Sequence, residues 1–102
     1  MSRKSFNWSG RRLEDPSHDL VVAFLTMDIQ SDPVAARDLL LAIELVTTGA
    51  QTSWRRIGNL FDVKIDGELV FIEDIYEENR SSKLPLPEFA EAAQAWCDYV
   101  GC

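Results

Sequence analysis

The dipeptide Asp66-Gly67, set between two runs of alternating side chains, constrains this chain more than any other feature. From Asn59 to Ile65 the apolar residues Phe61, Val63 and Ile65 alternate with Asp62 and Lys64, and Glu68 to Tyr76 returns with Val70 and Ile72 in the same rhythm. Asp-Gly supplies the positive φ angles of a two-residue type I′ turn, so the segment predicts a hairpin of two antiparallel strands. Pairing Ile65 with Glu68 puts Val63 opposite Val70 and Phe61 opposite Ile72, which gives one apolar face. Asp62, Lys64, Leu69, Phe71 and Glu73 fall on the other. That mixed face is either partly covered by a helix or available to a partner.

Helix signals stand on both sides of the hairpin. Ser31 or Asp32 offers a capping oxygen, Pro33 takes the first helical position and Gly49 closes the segment in the left-handed region, so Pro33 to Thr48 reads as a helix. Leu84-Pro85-Leu86-Pro87 is an extended lead-in to a second helix that begins at Pro87, turns Phe89, Ala92, Ala93, Trp96 and Val100 to one side, and ends at Gly101. His18 to Gln30 is nearly continuous in apolar, β-branched and aromatic residues and is expected to be a strand buried on both faces. Gly49 to Asn59 reads as a loop and Glu77 to Lys83 as an exposed connection. The expectation is a single α+β domain over residues 18–102, a small antiparallel sheet in the order strand, helix, hairpin, helix, with the helices packed on one face. Residues 1–17 form a basic polar head in which Phe6, Trp8 and Leu13 are anchors, part of it expected as an edge strand.

Charge narrows the function. The 102 residues carry 10 Lys and Arg against 17 Asp and Glu, a formal net charge of −7. Four of the cations fall in the first twelve residues, leaving six basic groups against 17 acidic ones afterwards. Such a body repels a polyanion, so direct nucleic-acid binding is not expected. No apolar run approaches the length of a membrane span, and polar residues follow Arg3 and Lys4 where a secretory signal would be apolar; a cytoplasmic protein is expected. Cys97 and Cys102 lack the spacing of a zinc site or a disulfide framework and read as free thiols.

Catalytic patterns are scarce. The sole histidine, His18, has no Gly-x-Ser-x-Gly elbow to serve, and the five glycines are too scattered to cradle a phosphate, so neither an enzyme nor a cofactor is expected. Asp66, Glu68, Glu73, Asp74, Glu77 and Glu78 place six carboxylates within thirteen residues with no Lys or Arg between them. Their spacing does not fit a calcium loop. They read either as a solvated hairpin that repels other sheet edges or as a surface for a basic partner, in which complementary charge speeds encounter and apolar groups supply affinity. The candidate contacts are Asp62, Glu68, Glu73, Asp74, Glu77 and Glu78, with Tyr76 as an apolar anchor. Trp54 is a second candidate anchor, whereas Trp8 and Trp96 are assigned to the core.

The succession Ser53-Trp54-Arg55-Arg56-Ile57-Gly58-Asn59, Val63-Lys64-Ile65-Asp66-Gly67-Glu68-Leu69-Val70 and Leu86-Pro87-Glu88-Phe89 with Trp96 resembles small bacterial immunity proteins of contact-dependent growth inhibition systems. It is also similar to the YacL-type family. The first resemblance implies a cytoplasmic protein that binds the basic C-terminal domain of a toxin, often a nuclease, and blocks it without catalysis. It carries over no contact residues. The alternative is a non-catalytic regulatory or adaptor domain.

Overall fold

In the computed structural model the described residues are 6–102, so Arg3 and Lys4 of the basic head lie outside them. The order of elements is α1 (Pro16–Phe24), continued by a π-helical turn (Leu25–Ile29), α2 (Pro33–Thr47), β1 (Ser53–Ile57), β2 (Phe61–Asp66), β3 (Leu69–Asp74), β4 (Ser81–Pro85) and α3 (Leu86–Val100). The strands form one antiparallel meander in the order β1-β2-β3-β4, and the domain is α+β.

The expected first strand, His18 to Gln30, is helical. Asp15 caps it by accepting the Ser17 N–H, and Pro16 occupies the first turn, where its missing N–H costs nothing. Leu20, Val21, Phe24, Leu25 and Ile29 are buried while Thr26 and Met27 are exposed, so the spacing is three to four and not two. The near-continuous apolar run concealed this period, because Val22 and Ala23 fill the flanks of a helix that is already half sunk in the core. An i→i−5 bond from Gln30 N–H to Leu25 O (2.8 Å) closes the π-helical turn. Gln30 then takes φ 59°, a left-handed value that a side chain tolerates only when its surroundings impose it; its carbonyl accepts the Trp96 Nε1–H at 2.9 Å.

α2 matches its expected span to within a residue. Asp32 accepts the Val34 N–H, Pro33 stands in the first turn and Gly49 lies at φ 83°. The hairpin forms with its register moved by two: Asp66 pairs with Leu69, Ile65 with Val70 and Val63 with Ile72. Gly67 has positive φ and Glu68 does not, the pattern of a type II′ turn, so Gly67 and Glu68 replace Asp66 and Gly67 as the turn pair. A shift of two preserves the faces. Phe61, Val63, Ile65, Val70 and Ile72 are all at most 1% exposed, each contributing about 1.5–3 kcal/mol by burial.

Two further strands flank the hairpin where connections were expected. Ser53–Ile57 pairs with β2 through Trp54–Ile65 and Arg56–Val63, and Ser81–Pro85 pairs with β3 through Leu84–Val70. The helices cover the inner face, and one hydrophobic cluster joins α1, α2, α3 and the apolar inward residues of the sheet.

The head is not an edge strand in its described part. Phe6 and Trp8 are buried, and residues 6–15 run as a strap of turns over α3, tied by Gly10 N–H to Glu91 Oε1 (2.8 Å) and Arg12 Nη2 to Glu88 Oε1 (2.7 Å). The thiols expected to be free are instead a disulfide between Cys97 and Cys102. Gly101 in the left-handed region ends α3 and brings these two positions together, which a count of cysteines does not reveal.

Candidate partner-binding rim

Strand register sorts the outward side chains into three rows across the sheet. Ser53, Asp66, Leu69 and Pro85 form the first; Arg55, Lys64, Phe71 and Lys83 the second; Ile57, Asp62, Glu73 and Ser81 the third. No helix among the described residues covers them, and Leu69, Phe71 and Ile57 remain 40%, 39% and 63% exposed. The face as a whole is not acidic, because the middle row carries three cations around Phe71. Negative charge gathers at the end marked by the third row.

That end continues into the β3–β4 connection. Ile75 donates its N–H to Leu60 O (2.9 Å), so the connection lies beside the β1–β2 turn, and Ile75, Tyr76, Glu77 and Glu78 are exposed there. Ile57, Ile75 and Tyr76 thus interleave with Asp62, Glu73, Glu77 and Glu78 along one rim. At the strand spacing of an antiparallel sheet, the Ile57-to-Glu73 part spans roughly 10 Å. Glu73, Glu77 and Glu78 make no ion pair among the described residues.

Five of the seven expected contacts meet on this rim, and two do not. Glu68 sits in the β2–β3 turn at the opposite end, where its carbonyl accepts the Leu86 N–H and it borders an open apolar groove lined by Val46, Leu69, Pro85, Leu86 and Ala90. Asp74 points inward and is buried. Its oxygens accept the Tyr76 N–H (2.9 Å), the Glu77 N–H (3.1 Å) and Arg80 Nη1 (2.9 Å), and these bonds, the Tyr76 N–H first, hold its carboxyl below the usual range. Asp74 therefore sets the backbone that presents Tyr76 and Glu77. Arg80 also lies over the Phe61 ring at 5.6 Å, which fixes the connection against the core.

On the rim itself Asp62 is gripped by Arg55 through two bonds, Nε to Oδ1 at 2.9 Å and Nη2 to Oδ2 at 2.6 Å. This bidentate bond lowers the Asp62 pKa and, with the nearby Glu73 charge, raises that of Arg55. The like charges of Asp62 and Glu73 face each other across the ladder, and Arg55 is what makes their pairing tolerable. Ile57 and Ile75 were missed from sequence because both fell in segments read as irregular or as strand interior. Ser53-Trp54-Arg55-Arg56-Ile57 has no apolar alternation, so nothing local in the sequence marks Ile57 as outward-facing.

Behind the rim, Asp28 anchors the π-helical turn to the sheet. Its buried carboxylate accepts the Leu60 and Phe61 N–H groups at 3.0 Å each, with Arg56 Nη1 3.9 Å away. Gly58 is required here, since a Cβ at that position would collide with the Asp28 carboxylate and the Arg56 guanidinium.

A second polar cluster joins Asp15, His18 and Glu88, whose ligand-type atoms lie within 4.8 Å of one another. The fully buried His18 accepts the Arg12 N–H at Nδ1 (3.0 Å), which leaves the ring proton on Nε2 to be donated to Glu88 Oε1 (2.8 Å). With Nε2 protonated no lone pair faces the cluster, and the Arg12 guanidinium already donates to both Asp15 Oδ2 and Glu88 Oε1 at 2.7 Å. The His18 bond is the main cause of the lowered Glu88 pKa; the Ser17 hydroxyl, with Arg12, holds Asp15 well below the usual carboxylate range. This is a clasp between the strap, α1 and α3.

Comparisons with protein-family models, with curated proteins and with solved structures find no match to this chain. No helix among the described residues is long and apolar enough to cross a membrane.

Proposed function

We propose that this protein is a cytoplasmic immunity protein that binds and neutralises a cognate toxin domain, a nuclease delivered by contact-dependent growth inhibition, by stoichiometric inhibition. The observation that carries the reading is the rim, where Ile57, Ile75 and Tyr76 stand exposed among Asp62, Glu73, Glu77 and Glu78. A nuclease cleft is basic because it was shaped for phosphate, and an acidic rim with apolar anchors competes for it. Tyr76, 74% exposed on a backbone fixed by Asp74, is the anchor of choice, since a tyrosine buries a large area with little conformational freedom to lose. Net acidity accelerates encounter and keeps the inhibitor off nucleic acid itself. The protein contributes no reacting group.

The test is co-expression. Cells made to express the C-terminal domain encoded by the gene immediately upstream of this one are expected to die alone, to grow when the wild-type protein is present, and to die when Glu73→Lys, Tyr76→Ala and Glu77→Lys are combined. Growth rescue by that triple variant, with the protein folded, would sink the rim as the inhibitory surface. Failure of the wild type to rescue would return the rim to a partner that is not a toxin.

A further inference from the structure

The last turn of α3 joins a covalent clip to the seat of the N-terminal strap. Gly101 and Cys102 both donate their N–H groups to Cys97 O at 2.9 Å, a left-handed cap that brings the side chains at 97 and 102 together, and here that contact is a disulfide. The same turn carries Trp96 and Tyr99, stacked at 5.2 Å. Phe6 stands edge-on to Trp96 at 4.9 Å, lies 5.6 Å from Tyr99, and reaches Trp8 at 5.7 Å. The strap's aromatic anchor therefore rests on a turn whose end is clipped. Further along, the strap is held by the buried Trp8 and by the Arg12 N–H bond to His18 Nδ1 (3.0 Å), whereas the ties from Arg12 to Glu88 and from Gly10 to Glu91 are solvent-facing and individually weak.

We propose that Cys97–Cys102 is a redox latch for the strap. A dithiol attacks the outer sulfur, that of the half-buried Cys102, because Cys97 is only 4% exposed. A mixed disulfide forms at Cys102 and Cys97 leaves as a thiolate; the second thiol of the reductant resolves the mixed disulfide. Two electrons and two protons pass from the dithiol to the pair. Opening the clip lets the last turn of α3 fray, and the Phe6 seat loosens with it, while the sheet and α2 stay folded. In a reducing compartment such pairs occur mainly as transient or sensing bonds, which suits a latch better than a permanent staple. The latch rests on the cytoplasmic placement in that proposed function and not on its toxin partner.

Hydrogen exchange on the full chain, oxidised and then treated with dithiothreitol, tests it, with Cys102→Ser as the permanently open form. Thiol titration is expected to find none before reduction and both after. Exchange across residues 6–15 and 96–102 should rise on the order of tenfold in the reduced protein and in the variant, with the strands unchanged, and reoxidation should reverse it. Unchanged exchange in residues 6–15 would overturn the latch, as would a rise spread evenly over the chain or failure of the two thiols to pair under oxidant.

Discussion

Asp28 and Glu73 are both carboxylates lying against the same sheet, yet they do opposite things. Asp28 is buried beneath the β1–β2 turn with backbone N–H groups on both oxygens, whereas Glu73 stands on the outer face without an ion pair among the described residues. Asp74 belongs with Asp28, although it follows Glu73 in the chain. Acidic composition is therefore not the same as an acidic surface. A carboxylate whose oxygens are consumed by the fold supports the site, and one whose oxygens face water can belong to it.

The sharpest way to break this division is to truncate Asp28. Asp28→Ala leaves two backbone donors without their acceptor and the Arg56 guanidinium without its counter-charge, and is expected to cost about 3 kcal/mol, read as a lowered urea midpoint at unchanged slope. A loss below about 1 kcal/mol would mean that water replaces the carboxylate. Gly58→Ala forces a methyl into the same contact and should cost about 2 kcal/mol in that assay.

Acid titration reads the supporting carboxylates directly. Asp74, Asp15 and Glu88 have lowered folded-state pKa values, so their contribution is complete above the ordinary carboxylate range and is lost progressively as pH falls from that range through the lower folded-state values. The wild type should lose stability below about pH 4, and Asp74→Asn should flatten that limb while starting from lower stability at neutral pH. Equal limbs in both proteins would show that Asp74 is not held as described. The smallest expected effect is on the rim, where Glu73→Lys with Glu77→Lys should change stability by no more than about 0.5 kcal/mol. A larger loss would place these residues among the supports.

Sequence reasoning reached the parts of this fold that local chemistry dictates. Asp32-Pro33 and Gly49 bound α2, Gly101 ends α3, and alternation from Phe61 to Ile72 assigns the inner face even though the turn pair is off by one residue. Segments whose structure is decided by packing were missed. His18 to Ile29 is so apolar that helix and buried strand look alike, and the deciding cue, Asp15-Pro16-Ser17 as a cap, lay in a stretch assigned to the head. Arg55 and Lys83 lie in β1 and β4, which exist because β2 and β3 offer them edges, not because their own residues demand strand. Likewise the rim is tertiary. Charge density pointed at Asp62, Glu73, Glu77 and Glu78 together with Glu68 and Asp74, and only register and burial could divide them.

The most direct measurement is a paired capture at low and high salt from the native host, with the wild-type protein and the Glu73→Lys, Glu77→Lys variant as baits. One basic protein should be held at equal stoichiometry by the wild type, released by salt, retained on the order of tenfold less by the variant, and toxic when expressed alone. Equal retention by both baits across salt would contradict the rim as the binding surface.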